Sequence, residues 1–407
     1  MTGKTTSRTP GPSPSGALTA AEIAAANGIL ATLHAFGRPV TLAEYMELAL
    51  YHPEHGYYTR ERRDTGPVGP QGDFITAPTA SPLFARTLAR LLQRLAEAVG
   101  ERLTLVELGA GEGHALAGIL EGLQESAASV ISRVVAVERS EPARARLQAR
   151  CRAMGRPEVE ACSTLDLAAP PSGPAVMFAS ELYDALPCHR VTASERDGRL
   201  VLQEVFVTVQ KDGSLAWLPG EPSTPVLGAY LEEHAVVLEN GQLAEVRPAL
   251  SELHRGHLAW CGADALAVVL DYGYPTRSLY NPRGRPLGTL AAYHRHRLTT
   301  DVLRDPGAMD LTAHINFDDL ARAAAWLGWT SARLEPLGMF LARHGALELL
   351  PTTQVGEPLG AARRAELEAA KQLLLPDMGS DLKVLVQGSG RLWSGLVGLP
   401  GPAPPAS

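Results

Sequence analysis

Apolar positions change their period along the chain, and each change marks an element. An Ala-rich stretch from Ala17 to Phe36 spaces Ile23, Ile29, Leu30 and Leu33 as a helix does. A second helix is predicted from Thr41 to Leu50, because Thr41 and Glu44 form a T-x-x-E box in which each side chain satisfies an orphan backbone N–H. The loop from Tyr51 to Pro82, rich in Gly, Pro and Arg, is too long for a connector and reads as a binding element or lid. Helical spacing resumes from Leu83 to Val99.

After Gly100 short apolar runs alternate with helices. Leu103 to Leu108, Val134 to Val137, Val159 to Cys162 and Val176 to Ala179 read as strands, and His114 to Gln124 and Glu141 to Arg152 as helices. Leu266 to Leu270, Phe317 to Leu327 and Leu382 to Gln387 continue the series. This alternation predicts an α/β fold with a mostly parallel sheet covered by helices on both faces. Two stretches break it. In the first, 188–261, Val201 to Gln210 and Ser214 to Leu218 alternate at period two around Lys211-Asp212-Gly213, an antiparallel hairpin. The second, 274–308, carries Gly and Pro punctuation and the basic run Tyr293-His-Arg-His-Arg297. The predicted organisation is a tail (1–16), a helical cap with its loop (17–100), a core in two parts (101–187 and 262–398) split by the insertion 188–261, and a Pro-rich tail (399–407).

Composition narrows the classes. The chain has 407 residues, 45% hydrophobic and 20% charged, which matches a globular protein of two or three structural units. Its net charge of −7 argues against a nucleic-acid binder. No run approaches the roughly 18 uninterrupted apolar residues of a membrane span, and residues 1–16 lack the apolar stretch of a secretory signal. Cys151, Cys162, Cys188 and Cys261 form no C-x-x-C, so neither a zinc site nor a disulfide framework is predicted, and a reducing cytoplasm is the expected compartment. His52, His55, His294, His296 and His314 make no i, i+4 pair beside a catalytic Glu, and no G-x-S-x-G string is present. No metal is expected, and Arg60-Glu-Arg-Arg63 reads as a solvated loop.

The strongest local signal is Leu103-Thr-Leu-Val-Glu-Leu-Gly-Ala-Gly-Glu-Gly113, an apolar strand ending in a glycine turn that opens a helix. Gly109, Gly111 and Gly113 fit G-x-G-x-G; a dinucleotide fingerprint would need glycine where His114 stands. Glu107 beside that turn would repel a pyrophosphate but suits the cationic amino group of S-adenosylmethionine. Glu138, at the end of the second strand, can accept hydrogen bonds from both ribose hydroxyls, though it stands 29 residues after Gly109 rather than about 20. Glu181 and Asp184, in Ser180-Glu-Leu-Tyr-Asp-Ala-Leu-Pro187, follow an apolar strand at the edge where ligands gather in parallel sheets. Alone, Gly72-Asp-Phe-Ile-Thr-Ala-Pro78 and Asp310-Leu-Thr-Ala-His-Ile-Asn-Phe317 could be turns and caps.

Together these strings resemble the MidA-type methyltransferases, relatives of the mitochondrial complex I assembly protein-arginine methyltransferase. The resemblance runs from about Thr41 to Val386. It rests on Gly56-Tyr-Tyr58, Gly72 to Pro78, Val106-Glu-Leu-Gly109, Glu181 with Asp184-Ala-Leu-Pro187, Asp271-Tyr-Gly273, Asp310 to His314 with Phe317, and Met378-Gly379 with Lys383-Val-Leu385. It departs at Thr79, where members often have Glu, at Ser180, where they have Asn, and at Leu337, where they have Gln.

The resemblance implies a seven-stranded class I methyltransferase core with inserted substrate elements, using S-adenosylmethionine to methylate a protein arginine, with a respiratory-complex subunit as partner. It puts Gly72, Asp73, Thr76, Glu107, Gly109, Gly111, Glu138 and Glu181 around the cofactor, and Asp184, Asp310 and His314 towards the acceptor. An arginine acceptor stays protonated at neutral pH, so Glu181, Asp184 and Asp310 are the expected grip on its guanidinium. The competing readings are a small-molecule methyltransferase, an NAD oxidoreductase, disfavoured by His114 and Glu107, and an assembly chaperone that binds the cofactor without chemistry.

Overall fold

The computed structural model describes residues 18–61, 67–69, 72–329, 331–350, 360–376 and 378–399. The two predicted tails, apart from Leu399, lie outside the described residues. Helix Ala20–Phe36 starts three residues later than Ala17, because Thr19 caps it in a reciprocal box with Glu22; Gly37, left-handed at φ 62°, ends it. Helix Leu42–Tyr51 opens on the Thr41–Glu44 box, with Thr41 N–H on Glu44 at 2.8 Å and Glu44 N–H on Thr41 Oγ1 at 3.1 Å. Within the long loop Ala77–Ala80 makes one helical turn, and Ser81 caps helix Pro82–Val99.

Strands in chain order are β1 (Leu103–Leu108), β2 (Ile131–Val137), β3 (Glu160–Cys162), β4 (Ala175–Ser180), β5 (His189–Arg196), β6 (Arg199–Val209), β7 (Leu215–Gly220), β8 (Leu243–Val246), β9 (Ala265–Tyr274), β10 (Ala291–His294), β11 (Arg297–Thr299), β12 (Asp310–Thr312), β13 (Ile315–Asn316), β14 (Ser331–Pro336) and β15 (Leu382–Gly388). The central sheet runs β14-β15-β9-β4-β1-β2-β3, with short β13 alongside β9. Its pairs are parallel except those of β15, which lies antiparallel to both neighbours. All six residues of β1 are buried, as a strand covered on both faces requires.

One face packs Leu91, Leu95, Leu116 and Ile119 of helices Pro82–Val99 and His114–Leu123 against Leu105, Val134 and Val176. The other packs Leu250, Leu258 and Leu320 against Val106, Met177 and Ala267. Helix Leu250–Cys261, inside the stretch read as an insertion, therefore covers the main sheet. The rest of that stretch forms a second, antiparallel sheet in the order β7-β6-β5-β8, and β11-β10-β12 forms a third. The N-terminal helices pack on this third sheet through Ile29, Met46, Ala292 and Leu311.

Candidate active site

The chain leaves β1 for β2 and β3 on one side and returns to β4 on the other, so strand order reverses between β1 and β4. That switch point opens a crevice at the carboxyl ends of the strands. The crevice here is a cavity of about 610 Å³, within the usual range for small-molecule sites. Thr76, Glu107, Gly109, Gly111, Glu138 and Glu181 line it.

The glycine turn has a steric cause. Gly109, Gly111 and Gly113 have φ of 66°, 52° and 76°, the left-handed region that favours glycine. A Cβ on Gly111 would meet nothing within 4 Å, whereas one on Gly113 would lie 2.9 Å from Leu147 Cγ. Gly111 thus presents bare backbone to the cavity, while Gly113 allows the following helix to pack and does not line the cavity.

The lining acids differ in their partners. Glu107 is 4% exposed, and its Oε2 has no hydrogen-bond partner among the described residues. Burial, and then the charge of Glu138, push its carboxyl up to about 8. Glu138 accepts the N–H of Gly111 at 2.8 Å and of Ser140 at 2.7 Å; burial still outweighs these bonds and raises its pKa. Glu181 follows β4 with φ 51°, a strained conformation for a non-glycine residue. It accepts the N–H of Ala77 at 3.1 Å, tying the long loop to the sheet, and burial followed by the charge of Asp184 pushes it up to about 8.

Asp184, Asp310 and His314 do not line this cavity, although Ala185, next to Asp184 in the chain, does. Asp310 accepts the hydroxyl of Tyr58, a lining residue, at 2.7 Å, and burial raises its carboxyl to about 7. Asp184 is raised by burial to about 6, against the lowering charge of Arg247. Asp271, at the end of β9, accepts the N–H of Tyr183 and of Tyr272, each at 2.8 Å, and is held well above the carboxylate range by burial and Asp184. His314 stacks with Tyr272 and meets Tyr274 at a tilt, its Nδ1 has no hydrogen-bond partner among the described residues, and burial lowers it to about 4, leaving the ring neutral.

Gly72 and Asp73 also fall outside the cavity lining. A Cβ on Gly72 would lie 2.3 Å from Pro67 O, so the tight loop needs glycine there. Asp73 is a latch: it accepts Tyr57 Oη at 2.7 Å and the N–H of Arg295 at 3.0 Å, and its carbonyl accepts His296 N–H at 2.6 Å. It acts on the cavity by holding the loop that carries Thr76. Arg60, expected in a solvated loop, is buried, with its guanidinium on Gly307 O and over the Tyr57 ring.

Sequence reasoning missed the far end of the cavity. Ser163 to Asp166 follow β3, and the same strand-end rule that flagged Glu138 would have flagged Asp166. His257 and Trp260 arrive from helix Leu250–Cys261. No local signal marks them, because only packing brings that helix over the crevice.

Residues 83–334, more than half of the chain, match a family described as "Putative S-adenosyl-L-methionine-dependent methyltransferase". The chain belongs to that family. The mouse (Mus musculus) protein arginine methyltransferase NDUFAF7, mitochondrial, is 28% identical over 314 residues, 70% of this chain and 66% of the relative. The human (Homo sapiens) protein of the same name is 27% identical over 310 residues, again 70% and 66%. The chain thus spans just under two thirds of the length of these curated relatives. A crystal structure of a superfamily member from Burkholderia thailandensis, bound to S-adenosyl-homocysteine, matches with TM-score 0.76 at 25% identity, over 93% of this chain and 97% of that one. A second crystal structure, a native one, gives TM-score 0.76 at 26% identity, over 92% and 94%. The mostly parallel sheet flanked by helices is that of the methyltransferase fold.

The cavity fits S-adenosylmethionine on its own chemistry. The unpartnered oxygen of Glu107 calls for a cation, and the open space beside Gly111 lets a ligand approach the backbone. No helix among the described residues is long and apolar enough to cross a membrane.

Proposed function

We propose that the chain methylates an arginine side chain of a protein, with Glu107, Gly109, Gly111, Glu138, Glu181 and Thr76 holding the donor and Glu181, Asp184 and Asp310 holding the acceptor. One observation carries this reading: the carboxyls of Glu181, Asp184, Asp271 and Asp310 are all buried beside the donor cavity and all raised by burial. Such a group gains most from a buried cationic ligand, and a guanidinium offers several N–H donors to several carboxylates at once. The relatives named as protein arginine methyltransferases support the same acceptor; the resemblance to the MidA-type family makes a respiratory-complex subunit the first candidate.

When bound, S-adenosylmethionine supplies the methyl group and leaves as a neutral thioether. The protein's part is alignment and charge. Carboxylates grip two edges of the guanidinium and draw its positive charge away from the nitrogen that attacks. Methylation releases one proton, and Glu181, whose carboxyl is raised by burial and then Asp184 to about 8, is suited to take it.

The deciding experiment incubates the chain with isotopically labelled S-adenosylmethionine and lysate from a strain lacking the gene, followed by mass spectrometry of labelled proteins. Label on an arginine supports the reading. Label confined to small molecules, or tight donor binding without transfer, refutes it in favour of a small-molecule methyltransferase or an assembly chaperone.

A further inference from the structure

Arg247 is the first residue after β8. Antiparallel pairing sets His189 opposite Val246, so the next position along β8 meets the chain just after Pro187. There the guanidinium, 6% exposed, donates to four backbone carbonyls: Nε to Leu186 at 3.0 Å, Nη1 to His314 at 3.1 Å, and Nη2 to Asp184 at 2.7 Å and Ala313 at 2.8 Å. Ala313 N–H in turn donates to Asp184 O at 3.0 Å. A buried arginine usually meets a carboxylate, because desolvating an unpaired cation is costly. Here carbonyl dipoles satisfy the fork, and no ion pair with Arg247 is found among the described residues.

We propose that Arg247 is a positioning residue of the acceptor site: it fastens the segment carrying Asp184 to the segment carrying His314 and sets a buried positive charge beside Asp184. This rests on the acceptor reading above. The groups facing Asp184 are Glu181 on its own segment, Asp271 on β9, Asp310 on β12, and the phenols of Tyr51 and Tyr272. All of these are acids. Arg247 is the cation that opposes burial at Asp184. The insertion thereby acquires a role at the site: its second sheet returns one buried charge to the edge of the first. Lysine would keep the charge but, with a compact ammonium, could not span four carbonyls.

Two measurements on the full chain test this, using Arg247→Gln and Arg247→Lys. Hydrogen exchange of the ligand-free protein should show about tenfold faster exchange of residues 182–188 and 311–316 in Arg247→Gln, with β1 to β4 unchanged. Unchanged exchange in those segments, or a uniform rise, overturns the fastening. Carboxyl carbon-13 NMR of the ligand-free chain, with Asp184→Asn to assign the resonance, should show Asp184 titrating about one pH unit higher in Arg247→Gln and unchanged in Arg247→Lys. A titration that does not move in the Gln variant overturns the electrostatic part. If the wild type binds S-adenosylhomocysteine yet labels nothing, the acceptor reading fails, while the exchange measurement still decides whether Arg247 joins the two segments.

Discussion

Glu107 offers the sharpest quantitative test of the site. Its carboxyl is buried, one oxygen is unpartnered, and burial together with Glu138 lifts it to about 8. A cationic ligand that pairs with it needs the ionised form, so below pH 8 binding must expel one proton. For one proton the apparent affinity falls about tenfold per pH unit, or roughly 1.4 kcal/mol, giving about a hundredfold between pH 8 and 6. Glu181, raised to about 8 by burial and Asp184, can add a second proton, so the comparison with Glu107→Gln isolates the first.

The assay is titration calorimetry with S-adenosylhomocysteine, which carries the amino group, from about pH 6 to 9 in two buffers of different ionisation heat. The wild-type slope should exceed that of Glu107→Gln by one proton, and the variant should bind about 10- to 100-fold more weakly above pH 8. Equal slopes, or equal affinity above pH 8, would refute the assignment. Stability must change with the opposite sign. A carboxyl raised in the folded state contributes stability that is present below its unfolded value, near 4.5, and lost as pH rises through 8. Glu107→Gln should therefore stabilise the ligand-free chain near pH 8, by roughly 1–3 kcal/mol.

Three further outcomes are expected. Asp184→Asn keeps shape but removes a charge from the acceptor side, so S-adenosylhomocysteine affinity should stay within about twofold while label transfer falls about a hundredfold; equal loss of both rejects the acceptor role. Gly111→Ala and Gly113→Ala each cost about 1–2 kcal/mol for a left-handed φ, but only the second also meets Leu147, at 2.9 Å. Urea unfolding should rank Gly113→Ala as less stable and calorimetry should rank Gly111→Ala as the weaker binder; the reverse order contradicts the geometry. Asp73→Ala removes the carboxylate that accepts Tyr57 Oη and Arg295 N–H and should cost about 1–3 kcal/mol by denaturation, with a smaller loss of donor affinity than Glu107→Gln. A larger loss at full stability would mean that Asp73 touches the ligand.

Much of the central sheet was legible because a strand buried on both faces reads as a near-continuous apolar run, as β1, β4 and β9 do apart from Thr104 and the polar positions towards their carboxyl ends, Glu107, Ser180 and Asp271. The strand-end rule then led to Glu107, Glu138 and Glu181 without any knowledge of the fold's closure. The bond from Arg295 N–H to Asp73, across more than 220 residues, was not legible, because nothing near Asp73 in the chain says which segment it meets. Helix Leu250–Cys261 was read with the insertion because its amphipathic pattern says only that one face is covered, not by what.

Local chemistry alone determined the period of each element, the Thr41–Glu44 cap, the glycine turn after β1 and the acids at the strand ends, since each depends on residues a few positions apart. Only the tertiary structure decided which acids lose their solvent. Burial is a property of what packs on top, so the rise of Glu107, Glu181, Asp184 and Asp310, and the isolation of Arg247 among backbone carbonyls, arise where segments from distant parts of the chain close over one sheet edge.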